Sequence, residues 1–179
     1  MPGVDPSREF RPLNIAVLTV SDSRTEADDR SGRLLVERLT GAGHRLAGRA
    51  IVPDDAGRIA GQLRVWIEDP EVDVVISTGG TGVTGRDVTP EAFERVYEKR
   101  IEGFGELFRM ISYRKVGTSA LQSRATAGVA RGTYLFALPG SPGACRDGWD
   151  EILVHQLDIR HRPCNFAELI PRLREHEGR

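Results

Sequence analysis

The sequence predicts an α/β domain of three layers, α/β/α, with helices on both faces of a mostly parallel sheet. Two observations carry that prediction. Short β-branched runs alternate along the chain with stretches whose apolar residues recur at helical spacing, and the runs end in turns rich in glycine or proline. At 179 residues the chain is long enough for one packed domain and too short for two ordinary domains with a linker.

Residues 1–12, with three prolines and several charges, read as a flexible N-terminal tail. Asn14 to Val20 is the first strand, and Ser31 can cap a helix carrying Leu34, Leu35 and Leu39 before Gly41 and Gly43. A second strand covers Arg45 to Val52. It breaks at Pro53-Asp54-Asp55 and leads into an amphipathic helix with Ile59, Leu63, Trp66 and Ile67. The third strand, Val72 to Ser77, runs into Thr78-Gly-Gly-Thr-Gly82. Thr89-Pro90-Glu91 then reads as a helix start, with Thr89 as cap and Pro90 at the first helical position. Helical pattern fills much of 90–116, interrupted near Gly103. A later strand, Thr133 to Leu138, ends at Pro139-Gly-Ser-Pro142, and Ala144 to Leu157 is helical again. The domain is expected over 13–166, with a C-terminal tail at 167–179.

Composition narrows the function classes. Lys plus Arg is 25 and Asp plus Glu is 26, so no broad positive field advertises nucleic acid or an anionic membrane. The apolar runs fall far short of the roughly 20 residues a membrane helix needs. The opening residues lack a signal-peptide core. Cys145 and Cys164 form no Cys-x-x-Cys pair, which argues against a disulfide framework or a cysteine-built zinc site, and none of the histidines has metal-ligand spacing. These features point to the cytoplasm, and an anionic partner must be held by a local site.

In an open parallel sheet that site lies beyond the carboxyl ends of the strands. Thr78-Gly-Gly-Thr-Gly82 sits at such an end, where missing side chains let backbone amides approach a phosphate closely. The plain alternative is a tight turn that needs positive φ. Gly80-Thr-Gly-Val-Thr-Gly85 also spells the dinucleotide fingerprint and raises a dinucleotide-dependent oxidoreductase as a distant alternative. The register opposes it. The motif follows the third strand, and the helix signal waits until Thr89, whereas the fingerprint helix starts within the glycines of the first βα unit.

Thr78-Gly-Gly-Thr-Gly82, Arg86-Asp87-Val-Thr-Pro-Glu-Ala92, Ser123-Arg-Ala125 and Leu138-Pro-Gly-Ser-Pro142, in this order and spacing, resemble the MoaB/MogA family of molybdenum cofactor biosynthesis proteins over about residues 13–166. Leu18-Thr-Val-Ser-Asp22 and Gly103-Phe-Gly-Glu106 also look like the family. The segment Gly117 to Ala125 and the ending Arg162-Pro-Cys-Asn-Phe166 are more similar to MoaB than to MogA. The resemblance implies a molybdopterin-binding α/β domain. It also implies a molybdopterin adenylyltransferase activity, in which the terminal phosphate of molybdopterin attacks the α-phosphorus of ATP, magnesium assists and pyrophosphate leaves.

By the same resemblance Asp54 and Asp87 are the catalytic and Mg2+-holding acids, and Thr78, Gly79, Gly80, Thr81, Gly82, Ser123 and Ser141 bind the pterin substrate. Each has a plainer reading. Asp54 or Asp55 can cap a helix, Asp87 can hold the turn before Thr89, the serines can be ordinary loop residues, and Arg124 can serve a salt bridge as readily as a phosphate. The MoaB-like body favours a molybdopterin-binding protein without catalysis, while the two acids favour the enzyme. The family is also expected to assemble as a homotrimer or homohexamer. The stretch around Phe104, Leu107, Phe108, Met110, Ile111 and Tyr113, apolar on more than one face, supports an oligomer independently.

Overall fold

A computed structural model describes residues 2–178. Strand β1 is Gly3–Val4, followed by β2 (Asn14–Val20), α1 (Arg30–Gly41), β3 (Arg45–Val52), α2 (Ala56–Glu68) and β4 (Val74–Thr78). Next come α3 (Thr89–Glu94), β5 (Lys99–Arg100), α4 (Glu102–Val116), β6 (Thr126–Ala130) and β7 (Thr133–Leu138). The chain closes with α5 (Pro142–Gly148), α6 (Val154–Gln156), β8 (His161–Arg162) and α7 (Phe166–Leu169). The main sheet runs β3-β2-β4-β7-β6-β5; the first three neighbouring pairs are parallel, and the pairs made by β6 with β7 and with β5 are antiparallel.

Alternation along the central strands divides two cores. Ile15 and Val17 of β2 face one way with Leu35 and Leu39 of α1, Phe104 and Phe108 of α4 and Trp149. Ala16 and Leu18 face the other way with Ile59 and Leu63 of α2 and Phe93 of α3. Full burial of each such leucine, isoleucine or phenylalanine contributes roughly 1.5–3 kcal/mol of transfer free energy. The expected three layers are therefore present. Their purpose at the site is to hold the ends of β2, β4 and β7 rigidly side by side.

Several local expectations change. Ser31 lies inside α1, which is capped instead by Asp29, whose carboxylate accepts the Gly32 N–H at 2.9 Å. Thr89 occupies the first position of α3, and its hydroxyl donates to the Gly79 carbonyl at 2.8 Å rather than capping. The helical stretch expected over 90–116 breaks earlier than Gly103, because Lys99–Arg100 leave the helix to pair with β6. β6 has no counterpart in the sequence pattern, since Ala127, Gly128 and Ala130 carry little β-propensity. Gly128 is required there because a Cβ would meet the Tyr97 ring at 2.4 Å. The β6–β7 turn places Arg131 at φ 48° and Gly132 at φ 89°, the positive values that a two-residue hairpin turn demands.

At the termini, β1 pairs antiparallel with β8, and Arg8 reaches Glu168 at 3.0 Å. Ala167 is buried, and the Tyr134 hydroxyl donates to the Phe166 carbonyl at 3.1 Å. No helix among the described residues is long and apolar enough to cross a membrane.

Candidate functional site

The carboxyl ends of β4 and β7 are adjacent and parallel, so the loops that follow them meet. The Thr78 hydroxyl donates to the Pro139 carbonyl at 2.8 Å, and the Gly79 amide donates to the Leu138 carbonyl at 3.0 Å. A Cβ on Gly140 would stand 3.3 Å from the Gly79 Cα, so the loops touch backbone to backbone. Gly79 and Gly80 have φ of 103° and 69°, conformations that side chains resist. A Cβ on Gly79 would lie 2.2 Å from the Val20 carbonyl oxygen, and one on Gly80 would lie 2.3 Å from Thr89 Oγ1. The turn requirement and the close-approach requirement therefore both hold. Among the described residues, the Gly80 and Thr81 amides meet no protein acceptor, which leaves two backbone donors in the loop.

Two cavities flank this loop. One, of about 600 Å³, is walled by Phe108, Val116 and Ala120 and carries Thr81, Gly82, Ser123 and Ser141 at its polar end. The other, of about 550 Å³, is polar; Arg24, Arg30 and Arg86 share it with Asp29, Asp54, Thr78 and Gly79. Gly80, Asp87 and Gly140 line both. All nine residues that the resemblance assigns to the site thus lie on one of the two cavities or on their common wall, whereas Arg124 lines neither. Arg24, Arg30, Arg86 and Gly140 were not singled out, and Phe108 only for the apolar helix that carries it. Arg86 and Gly140 stand inside motifs that drew attention for other residues, whereas Arg24, Arg30 and Phe108 lie in motif-free sequence and enter only through folding.

The two acids differ in surroundings. Asp55 caps α2 by accepting the Arg58 amide at 2.8 Å, which leaves Asp54 free of that duty. Partial burial pushes the Asp54 carboxyl above its ordinary range, and the negative charges of Asp22 and Asp87 add to this while the Arg86 guanidinium opposes them. Asp22 anchors the backbone beside it, accepting the Asp54 amide at 3.0 Å and ion-pairing with Arg86 at 2.6 Å. Asp87 accepts both the Thr84 amide at 2.8 Å and the Thr84 hydroxyl at 2.7 Å, which, with the Gly82 amide and Arg124, outweigh desolvation and hold its carboxyl below the usual range. The turn-holding reading of Asp87 is therefore present in the structure alongside its place in the cavity wall.

The serines also carry local duties. Ser141 caps α5 by accepting the Ala144 amide at 3.1 Å, and Ser123 accepts the Ala125 amide at 3.3 Å. As acceptors in these bonds, both keep a hydroxyl proton to donate into the cavity. Cys145 is buried behind the loop, its thiol donating to Thr78 Oγ1 at 3.1 Å, and burial pushes it up to about 11. Such a thiol is inert at neutral pH. Among the described residues no group of three or more His, Cys, Asp or Glu could hold a metal ion by itself.

Comparison with known proteins agrees with this architecture. Residues 16–159 match the family model described as "Probable molybdopterin binding domain". Molybdenum cofactor biosynthesis protein B of Escherichia coli (strain K12) is 51% identical over 160 residues, spanning 89% of this chain and 94% of that protein. A protein of Methanocaldococcus jannaschii named "Probable molybdopterin adenylyltransferase" is 41% identical over 146 residues, spanning 78% of this chain and 86% of that one. A crystal structure of a molybdenum cofactor biosynthesis protein B superposes with a TM-score of 0.85 at 38% identity, covering 94% of this chain and 99% of the other. With the strands, glycine loop and paired cavities already in place, these matches show that the chain belongs to the MoaB/MogA family of molybdenum cofactor biosynthesis proteins, on its MoaB side.

Proposed function

We propose that this chain binds molybdopterin in the apolar cavity and adenylylates its terminal phosphate with Mg-ATP seated in the polar one. The observation that carries this is the common wall: Gly80, Asp87 and Gly140 border both cavities, so two ligands meet at a backbone-lined seam. The flat pterin suits the face made by Phe108, Val116 and Ala120, and Ser123 and Ser141 offer hydroxyl donors at its polar end. The unpartnered Gly80 and Thr81 amides suit the phosphate to be modified. Arg24, Arg30 and Arg86 suit the triphosphate. The name borne by the M. jannaschii relative supports the same reading.

In this reaction an oxygen of the molybdopterin phosphate forms a bond to the α-phosphorus of ATP, the bond from that phosphorus to the β-phosphate oxygen breaks, and pyrophosphate carries the electron pair away. The protein forms no covalent intermediate, so its contribution is positioning and charge neutralisation. Asp54 and Asp87 fit a magnesium ion: Asp54 is crowded by like charge that a divalent cation would relieve, and two carboxylates leave the remaining positions to phosphate oxygens and water. Bound there, magnesium would neutralise the charge that develops on the phosphates. The arginines hold the leaving pyrophosphate, and the glycine loop holds the attacking phosphate in line.

One observation favours a binder without transfer: the Asp87 carboxylate is already engaged by Thr84. Incubating purified protein with molybdopterin and Mg-ATP decides between the two. Adenylyl-molybdopterin and pyrophosphate are the expected products, and pterin binding without either would leave the binder. These substrates are those of cytoplasmic cofactor synthesis, which is where the protein is proposed to act.

Assembly is proposed as a homotrimer or homohexamer. Along α4, Phe104, Phe108 and Ile111 are buried, while Met110 and Tyr113 are 51% and 61% exposed, so the helix presents a second apolar face. Light scattering is expected to give about three or six times the 19.7 kDa chain mass, and a mass near 19.7 kDa would refute association.

A further inference from the structure

The loop from Gly82 to Asp87 carries one of the two acids and has little packing of its own; Val83 within it is 66% exposed. Asp22 holds Arg86 within it, and one side chain from outside bridges its two ends. Arg124 donates through Nε to the Gly82 carbonyl at 2.7 Å and through Nη2 to the Asp87 carbonyl at 2.8 Å, so one guanidinium bridges the first and last residues of the loop. Its Nη1 is held by the Glu91 carboxylate on α3, and its own amide donates to the Thr81 carbonyl at 2.8 Å. The guanidinium therefore spends its donors on protein groups and does not line either cavity that borders the glycine loop.

We infer that Arg124 is a positioning residue, a strap that fixes the Asp87 loop against Thr81 and α3 without touching a substrate. The inference rests on the proposed role of Asp87 in adenylyl transfer. Its physical basis is geometric. A planar guanidinium offers donors at fixed fork spacing to two carbonyls at once, and an ammonium on a flexible stem cannot reproduce that arrangement. Glu91 orients the fork, and the charge makes each bond stronger than a neutral one. Inside the loop, the Asp87–Thr84 bonds set the carboxylate relative to the turn; the strap sets the turn relative to the cavities.

Backbone amide exchange and turnover, measured together on wild type, Arg124→Lys and Arg124→Ala, test the strap. Exchange over residues 83–88 should rise about tenfold in Arg124→Ala while the amides of β6 and α4 keep their protection. Turnover should fall about a hundredfold, with the KM for molybdopterin changed no more than about threefold, because a misplaced group costs rate before it costs binding. Arg124→Lys should lie between the two, and free guanidinium added to Arg124→Ala should restore part of the rate and part of the protection. Unchanged exchange at 83–88 in a folded Arg124→Ala protein overturns the inference. So does exchange that spreads through β6 and α4 with turnover falling in step, which would mark Arg124 as a general stabiliser. A wild-type protein that makes no adenylylated product refutes the proposed activity instead, and the exchange data then decide the strap alone.

Discussion

Asp54→Asn is expected to lower adenylyl transfer by about a hundred- to a thousandfold while molybdopterin affinity stays within about twofold, because the lost interaction belongs to the reacting phosphates. Asp54 makes a cleaner test than Asp87. Replacing Asp87 also weakens the bonds to Thr84 that shape its own turn, so any loss there mixes chemistry with loop geometry. Asp54 is crowded by Asp22 and Asp87, and its neighbour Asp55 carries the helix cap. Removing its charge should therefore leave the folded state as stable as before or slightly more so near neutral pH. The sign follows from its raised carboxyl: ionised Asp54 is disfavoured by folding at pH values above its folded pKa, and asparagine removes that penalty. Single-turnover kinetics, a pterin-binding titration and a melting curve read the three quantities separately. A clear fall in melting temperature, or loss of pterin binding in parallel with turnover, would make Asp54 a structural residue.

The second large effect belongs to Gly79→Ala. The φ of 103° is costly for any side chain, and the new Cβ would lie 2.2 Å from the Val20 carbonyl oxygen, a backbone atom of the central strand that has no room to retreat. A loss of about 3 kcal/mol or more is expected. For a chain of this size that lowers the melting temperature by roughly 6–12 °C. Gly85→Ala is the matched control, since nothing lies within 4 Å of a Cβ there, and it should melt like wild type. Gly80→Val strikes the binding function more directly, because its Cβ would lie between Thr89 Oγ1 and Asp54 Oδ1, at 2.3 and 3.1 Å. In that variant, whatever remains folded should bind molybdopterin poorly, and equilibrium titration of the folded fraction with wild-type affinity would sink the phosphate-loop assignment.

The elements legible in the sequence are those whose pattern is strong and local. β2, β4 and β7 are continuous apolar runs buried on both faces, and α2 shows its apolar stripe at helical spacing. β6 was illegible because its residues are small for a tertiary reason, the packing of Gly128 against Tyr97. The cap of α1 was misplaced from Asp29 to Ser31 because several polar residues crowd that start, and only the Gly32 contact distinguishes them. At the site, the glycine loop announces itself through composition and position. The polar cavity does not, since Arg24 and Arg30 follow β2, Asp54 follows β3 and Arg86 follows β4, and only the parallel order of β3, β2 and β4 brings them together.

The borders of the main sheet bear on how copies of the chain can associate. At one border β5 is only two residues long and consists of Lys99 and Arg100, both exposed; at the other, β3 opens with exposed Arg45. Unpaired strand edges invite a neighbour to add on, and brevity and positive charge at these positions discourage it. Open-ended growth of the sheet from molecule to molecule is thereby disfavoured, so the assembly proposed above is expected to close at a defined size through a different surface, the exposed apolar face of α4.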